Sequence, residues 1–247
     1  MPASVLLGAA SVASLNLCAD EYLLLLARPK EIVSVSFLSR DPLDSPLWRR
    51  ARAHHGNRGS FEQVLPLRPS LVLTMGGGGR ATALLARRVG IATVDLTPVT
   101  TLDDVADNLR RVAAALGDAG RARPWTDRLE RLRRSAPASP RDAIWLSGAG
   151  DTLAPGSAGT QWLRLAGLAQ RPLPEGQVTL ETLLVRPPQV LVQSNYGHGR
   201  VSRGSFWQRH PIVRRAGSVR LATDGRAWTC MGPLLIDEIE RLRKQVP

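Results

Sequence analysis

Several things are scarce in this chain of 247 residues. Aromatics make up only 4%, there are two cysteines, and lysine is nearly missing: of 33 basic residues all but Lys30 and Lys244 are arginine. No apolar run reaches the roughly 18 residues that suggest a transmembrane helix, so none is expected. With few aromatics, no helix-turn-helix and no zinc-finger spacing, nucleic-acid binding rests on net charge alone. A glycine loop, "LTMGGGGRA" at 73–81, lies between a strand and a helix start, where backbone N–H groups can cradle phosphate. The P-loop lysine and hydroxyl are missing there, and the glycines do not fit a dinucleotide fingerprint. Nor is there a G-x-S-x-G nucleophile elbow. The chain is therefore not expected to be an enzyme; a phosphate-ligand-binding α/β enzyme is the alternative reading, and a basic nucleic-acid-binding protein the weaker one.

What is present describes a soluble globular protein. Hydrophobic residues are 43% and charged residues 22%, both ordinary values, and the length suits one large domain or two small ones. The net charge of +12 is uneven: residues 1–118 carry 13 basic and 11 acidic groups, residues 119–247 carry 20 and 10. Such an excess points to nucleic acid, an anionic membrane surface or an anionic small ligand. The N-terminal "MPASVLLGAASVASLNLC" is apolar and rich in small residues, like the end of a secretory signal, but no Lys or Arg precedes its hydrophobic run. Leu17 before Cys18 does not suit a lipoprotein. The signal peptide is read as incomplete or absent in this sequence.

Periodicity organises the rest. "SVASLNL" at 11–17 reads as a strand, 19–27 as a helix, and "EIVSVSF" at 31–37 as a second strand, followed by a long polar loop to residue 59. Then come a short helix, a strand at 71–74, a helix at 80–89 and the strand "IATVDL". Residues 101–116 place Leu102, Val105, Ala106, Leu109, Val112, Ala113 and Leu116 at helical spacing. The charged stretch 118–140 has only Leu129 and Leu132 as a thin apolar face, which suits a connector better than a core helix. After it the alternation restarts, with strands at "AIWLSG" and "SVRLA" and a closing amphipathic helix at "GPLLIDEIERLRKQV". Strands alternating with helices imply parallel pairing. The expected fold is α/β: two Rossmann-like lobes, 1–118 and 138–247, joined by a long connecting helix at 119–137, with a ligand cleft between the lobes.

One segment occurs twice. "FEQVLPLRPSLVLT" at 61–74 and "LETLLVRPPQVLVQ" at 180–193 align without a gap at an offset of 119, pairing Glu62 with Glu181, Leu65 with Leu184 and Pro69 with Pro188. Each follows a helix-capping hydroxyl, Ser60 or Thr179, and each proline reads as a helix stop before a core strand. A single glutamate near a helix start is ordinarily a solvated partner of the helix dipole. Two on equivalent elements favour a shared task.

Together, "SLNLCADEYLLLLARPKEIVSVSFLSRDP", the two repeated segments and "WTCMGPLLIDEIERL" resemble the substrate-binding proteins of ABC importers for vitamin B12, ferric siderophores and haem. The resemblance is in order and spans nearly the whole chain from about Val12. It implies two lobes bridged by a rigid helix, a metal chelate between them as ligand rather than a cofactor, a periplasmic monomer, and no nucleic acid as partner. It also implies docking of one glutamate per lobe, Glu62 and Glu181, onto arginines of a permease dimer in the inner membrane.

In such an architecture ligands meet loops that follow the strands. The candidate contacts are Asn16, Cys18, Phe37, Arg40, Trp48 and Arg80 in the first lobe, and Tyr196, His198, Arg200, Arg203, Trp228 and Cys230 in the second. From Tyr196 to Arg226 seven arginines face one acid, Asp224, interleaved with aromatics, a composition that favours an anionic planar ligand. No dedicated metal site is expected; Tyr196 and His198, or His54 and His55, are coordination candidates only if the ligand is haem. Cys18 and Cys230 are compatible with a disulfide, with ligand-facing thiols, or with inert burial.

Overall fold

A computed structural model describes residues 11–76, 79–173, 176–196 and 217–247, with residues 79 and 80 described by their backbone. It divides into two units: 1–98 with 104–126, and 99–103 with 127–247. In the first unit the strands are β1 (Val12–Ser14), β2 (Ile32–Ser36), β3 (His55–Asn57), β4 (Leu71–Met75) and β5 (Ala92–Leu96). They form one sheet in the order β3-β2-β1-β4-β5, every pair parallel. Val12, Ala13, Val35, Val72 and Leu73 are wholly buried, as the central strands of a sheet covered on both faces must be.

The second unit repeats the plan with four strands, β6 (Arg141–Leu146), β7 (Leu168–Gln170), β8 (Val190–Ser194) and β9 (Val219–Thr223), in the parallel order β7-β6-β8-β9. Chain order reverses between β1 and β4 in one sheet and between β6 and β8 in the other. These are the switch points at whose carboxyl ends open α/β sheets bind ligands.

Helices α1 (Leu17–Leu26), α2 (Trp48–Ala51), α3 (Phe61–Val64), α4 (Gly79–Arg88) and α5 (Leu102–Ala115) precede α6 (Arg123–Arg134); α7 (Ala158–Leu165), α8 (Leu180–Val185) and α9 (Leu234–Arg243) follow it. The division between the units falls inside α6, after Thr126, and again near the start of α5. In α6 Leu129 and Leu132 are buried. Arg128 donates from Nη2 to Asp237 and from Nε and Nη2 to Glu240, both on α9.

The repeated segment is repeated packing. In the first unit Phe61, Val64 and Val72 join Ala13, Leu15 and Ala86 in one apolar cluster. At the same offset of 119, Leu180, Leu183 and Leu191 join Ile144, Leu146 and Val178 in the second. Pro69 and Pro188 are both buried. These apolar matches, Phe61 with Leu180, Val64 with Leu183 and Val72 with Leu191, follow from filling equivalent space beside equivalent strands.

Three readings need correction. The polar loop after β2 contains the edge strand β3, and the second half holds an edge strand, β7, that the alternation of its sequence does not show. Each has three residues, too few to show a period. Ser60 makes no N-cap bond: its hydroxyl donates to Glu62 Oε2, whereas Thr179 Oγ1 does accept from the Thr182 amide at 3.1 Å. Finally α3 ends at Val64 and passes into a 3-10 turn, Leu65–Leu67, closed by Arg68 in the left-handed region at φ 49°, so Pro69 follows a stop already made.

Candidate ligand and docking sites

In the first unit the switch-point crevice is held by Asn16. As the cap of α1 its Oδ1 accepts from the Ala19 amide at 2.9 Å, while Nδ2 donates to the Met75 carbonyl at 3.0 Å, tying the end of β1 to the end of β4. Asp20, one turn into α1, is wholly buried and gathers the end of β2. It accepts from the Ser36 amide at 3.0 Å and from the Ser36 and Ser39 hydroxyls, each at 2.6 Å. Burial pushes its carboxyl up to about 6, against these hydrogen bonds, which favour the ionised form. Asp20 was not singled out in the sequence because it sits in an unremarkable helical pattern. The signal available was an acid followed, 16 and 19 residues on, by serines at the end of the next strand.

The segment that Asp20 holds carries two of the proposed contacts. Phe37 is 53% exposed and Arg40 is half-buried. Together with Asp41, Pro42 and Arg52 they line a depression of about 350 Å³. Trp48 on α2 is half-buried, with the guanidinium groups of Arg49 and Arg52 at 4.7 and 4.6 Å from its ring centre. Arg80 is the second residue of α4, and its side chain lies outside the described residues. His54 is half-buried, its imidazole held below its usual range by desolvation, and His55 is exposed on β3.

In the second unit the loop after β6 is a tight turn, with Ser147 Oγ accepting from the Ala149 and Asp151 amides at 3.1 and 3.0 Å. Across the switch point Tyr196 follows β8 and is 39% exposed. A Cβ on Gly225 would come within 2.4 Å of the Tyr196 Cβ and 2.6 Å of its backbone nitrogen, so only glycine permits this approach. His198, Arg200 and Arg203 lie outside the described residues. Trp228 is a core residue, 3% exposed, with its indole N–H donated to Thr223 Oγ1 at 2.7 Å and its ring 5.4 Å from that of Trp145. Glu238 of α9 fixes the same corner, accepting from the Asp224 amide at 3.0 Å and from Arg241. Neither Cys18 nor Cys230 is a free thiol, which sets aside both readings that kept them reduced. Among the described residues no three of His, Cys, Asp and Glu come together as a metal-binding set.

Glu62 and Glu181 are both exposed, in the first turns of α3 and α8. The Ser60 hydroxyl holds the Glu62 carboxyl below its usual range. The next matched pair is also exposed, Leu65 at 38% and Leu184 at 48%. The buried matches of the repeat are explained by the core; these four surface positions are not.

Parallel α/β units with reversed strand order, each with a switch point at its carboxyl ends, and a chain that crosses between units through a helix have the plan of a two-lobed α/β binding protein. The chain belongs to the periplasmic binding protein family, whose model it matches over residues 12–213. No curated protein matches it in sequence. Among solved structures it is similar to a periplasmic haem-binding protein of Vibrio cholerae, with 17% identity and a TM-score of 0.70 over 96% of this chain and 99% of that one. A periplasmic vitamin B12-binding protein of the same organism is 25% identical, with a TM-score of 0.63 over 96% of each chain. A periplasmic haem-binding protein of Pseudomonas aeruginosa is 18% identical, with a TM-score of 0.65 over 96% of this chain and 92% of that one. No described helix is long and apolar enough to cross a membrane.

Proposed function

We propose that this chain is the substrate-binding component of an ABC importer, capturing a ferric siderophore, haem or cobalamin and delivering it, as a periplasmic monomer, to a membrane permease dimer. The observation that carries the reading is the surface part of the repeat. Within a member of a binding-protein family, an exposed glutamate and leucine recur at equivalent places on both units, where packing asks for neither. On a chain of net charge +12, an isolated carboxylate in each unit suits a guanidinium on the partner, since such charge-assisted pairs give orientation as well as attraction. The absence of free thiols supports an oxidising compartment. Phe37, Arg40 and Trp48 are the contacts we assign to the cargo in the first unit, and Tyr196 in the second.

The test is absorbance and thermal-shift titration of the purified chain against cobalamin, haemin and a panel of ferric siderophores. One of these classes is expected to bind and raise the melting temperature. A chain that binds none of them overturns the reading.

A further inference from the structure

The depression beside Phe37 holds more positive charge than the fold uses. Arg40 lies flat on β3: a Cβ at Gly56 would come within 2.5 Å of its Nη1, so the strand carries glycine where the guanidinium crosses it. The Arg40 Nε–H is buried and has no hydrogen-bond partner among the described residues. Arg52 donates from Nε to the Arg40 carbonyl at 3.2 Å, lies over the Trp48 ring at 4.6 Å and lines the same depression. Among the described residues neither arginine has an ion-pair partner, although the fold pairs Arg121, Arg128, Arg133 and Arg171 with acids elsewhere. The one acid of the lining, Asp41, has its Oδ1 engaged by the Leu43 amide at 2.8 Å. Phe37 supplies an apolar wall that a small hydrated anion does not need.

We propose that this depression seats a carboxylate arm of the cargo, carried on an apolar or aromatic body, with Arg40 pairing the carboxylate, Arg52 adding a second cation and Phe37 covering the body. The planar guanidinium fork matches a carboxylate in two-point geometry. The inference rests on the reading of the chain as a chelate-binding protein and narrows it to chelates that carry carboxylates.

The experiment is calorimetric titration of the full chain with ferric citrate and haemin, which bear carboxylates, and with ferrioxamine B and cobalamin, which bear none. Free citrate and inorganic phosphate serve as anion controls. The wild-type chain is expected to bind at least one carboxylate chelate more tightly than ferrioxamine B or cobalamin. Arg40→Gln is expected to weaken that binding about tenfold and Arg52→Gln about threefold. Arg52 is exposed, so its variant keeps the fold and the test stands even where Arg40→Gln does not fold. Unchanged affinity in Arg52→Gln together with any folded Arg40→Gln overturns the proposal, as does free citrate or phosphate binding as tightly as the chelates. Binding of ferrioxamine B or cobalamin alone overturns the carboxylate site while leaving the substrate-binding reading intact; binding of no chelate at all overturns both.

Discussion

Asp20 shows how much one buried side chain can organise. A carboxylate with no cation beside it among the described residues is tolerated because Ser36 and Ser39 direct their donors at it, and those bonds fix the turn that presents Phe37 and Arg40. Since its folded value, about 6, lies above the ordinary 3.8, the folded chain binds the proton more tightly than the unfolded one. This contribution to stability is therefore full below about pH 3.8 and is lost as pH rises through about 6. Urea unfolding of wild type and Asp20→Asn across pH 4 to 7 is expected to show a difference that changes by on the order of 3 kcal/mol, with wild type losing ground toward neutrality. A difference independent of pH would place the titration elsewhere. At the same scale, alkylation of the unfolded chain is expected to add no mass without reductant and two adducts with it, as neither cysteine is free.

Single elements explain why the two copies of the repeat are not equally capped. Thr179 satisfies an orphan amide of α8, so Thr179→Ala is expected to cost about 1 kcal/mol in chemical unfolding. Ser60→Ala is expected to cost clearly less, because its hydroxyl serves the exposed Glu62 instead. A larger ledger sits where β2 begins. Glu31, nearly buried, accepts from Arg121 Nη2 at 2.9 Å and from Nη1, and also from the Arg28 amide at 2.7 Å. The Arg121 hydrogen bond holds its carboxyl below the usual range, so this stability is present above the ordinary carboxylate value and lost as pH falls through the depressed one. Glu31→Gln is expected to lose about 2 kcal/mol at neutral pH, measured in urea, because it leaves the largely buried Arg121 with only the more exposed Asp118 as its charge partner.

For the whole molecule, the surface half of the repeat makes a prediction that the core half cannot. Glu62→Ala with Glu181→Ala, and separately Leu65→Ser with Leu184→Ser, are expected to reduce permease-dependent uptake in cells. Chelate affinity and melting temperature of the purified chain are expected to stay near wild type. Equal loss of chelate affinity in the purified variants would show that these positions belong to the cargo site.

The alternation of apolar strands and helices determined the parallel α/β class, because strands buried on both faces leave continuous apolar runs such as "LVLT" and "VLVQ". The sequence alone also determined the repeat, since the same space beside β4 and β8 demands the same apolar positions. Tertiary structure decided the rest. β3 and β7 exist through pairing at an edge and have no period of their own. Trp228 reads as an exposed loop aromatic but fills a core. The roles of Asp20 and Arg40 depend on residues 16 to 19 positions away that the fold brings into hydrogen-bonding or van der Waals reach. Burial, partner and unpaired charge belong to three-dimensional neighbours, and a linear pattern carries only those demands that recur along one element.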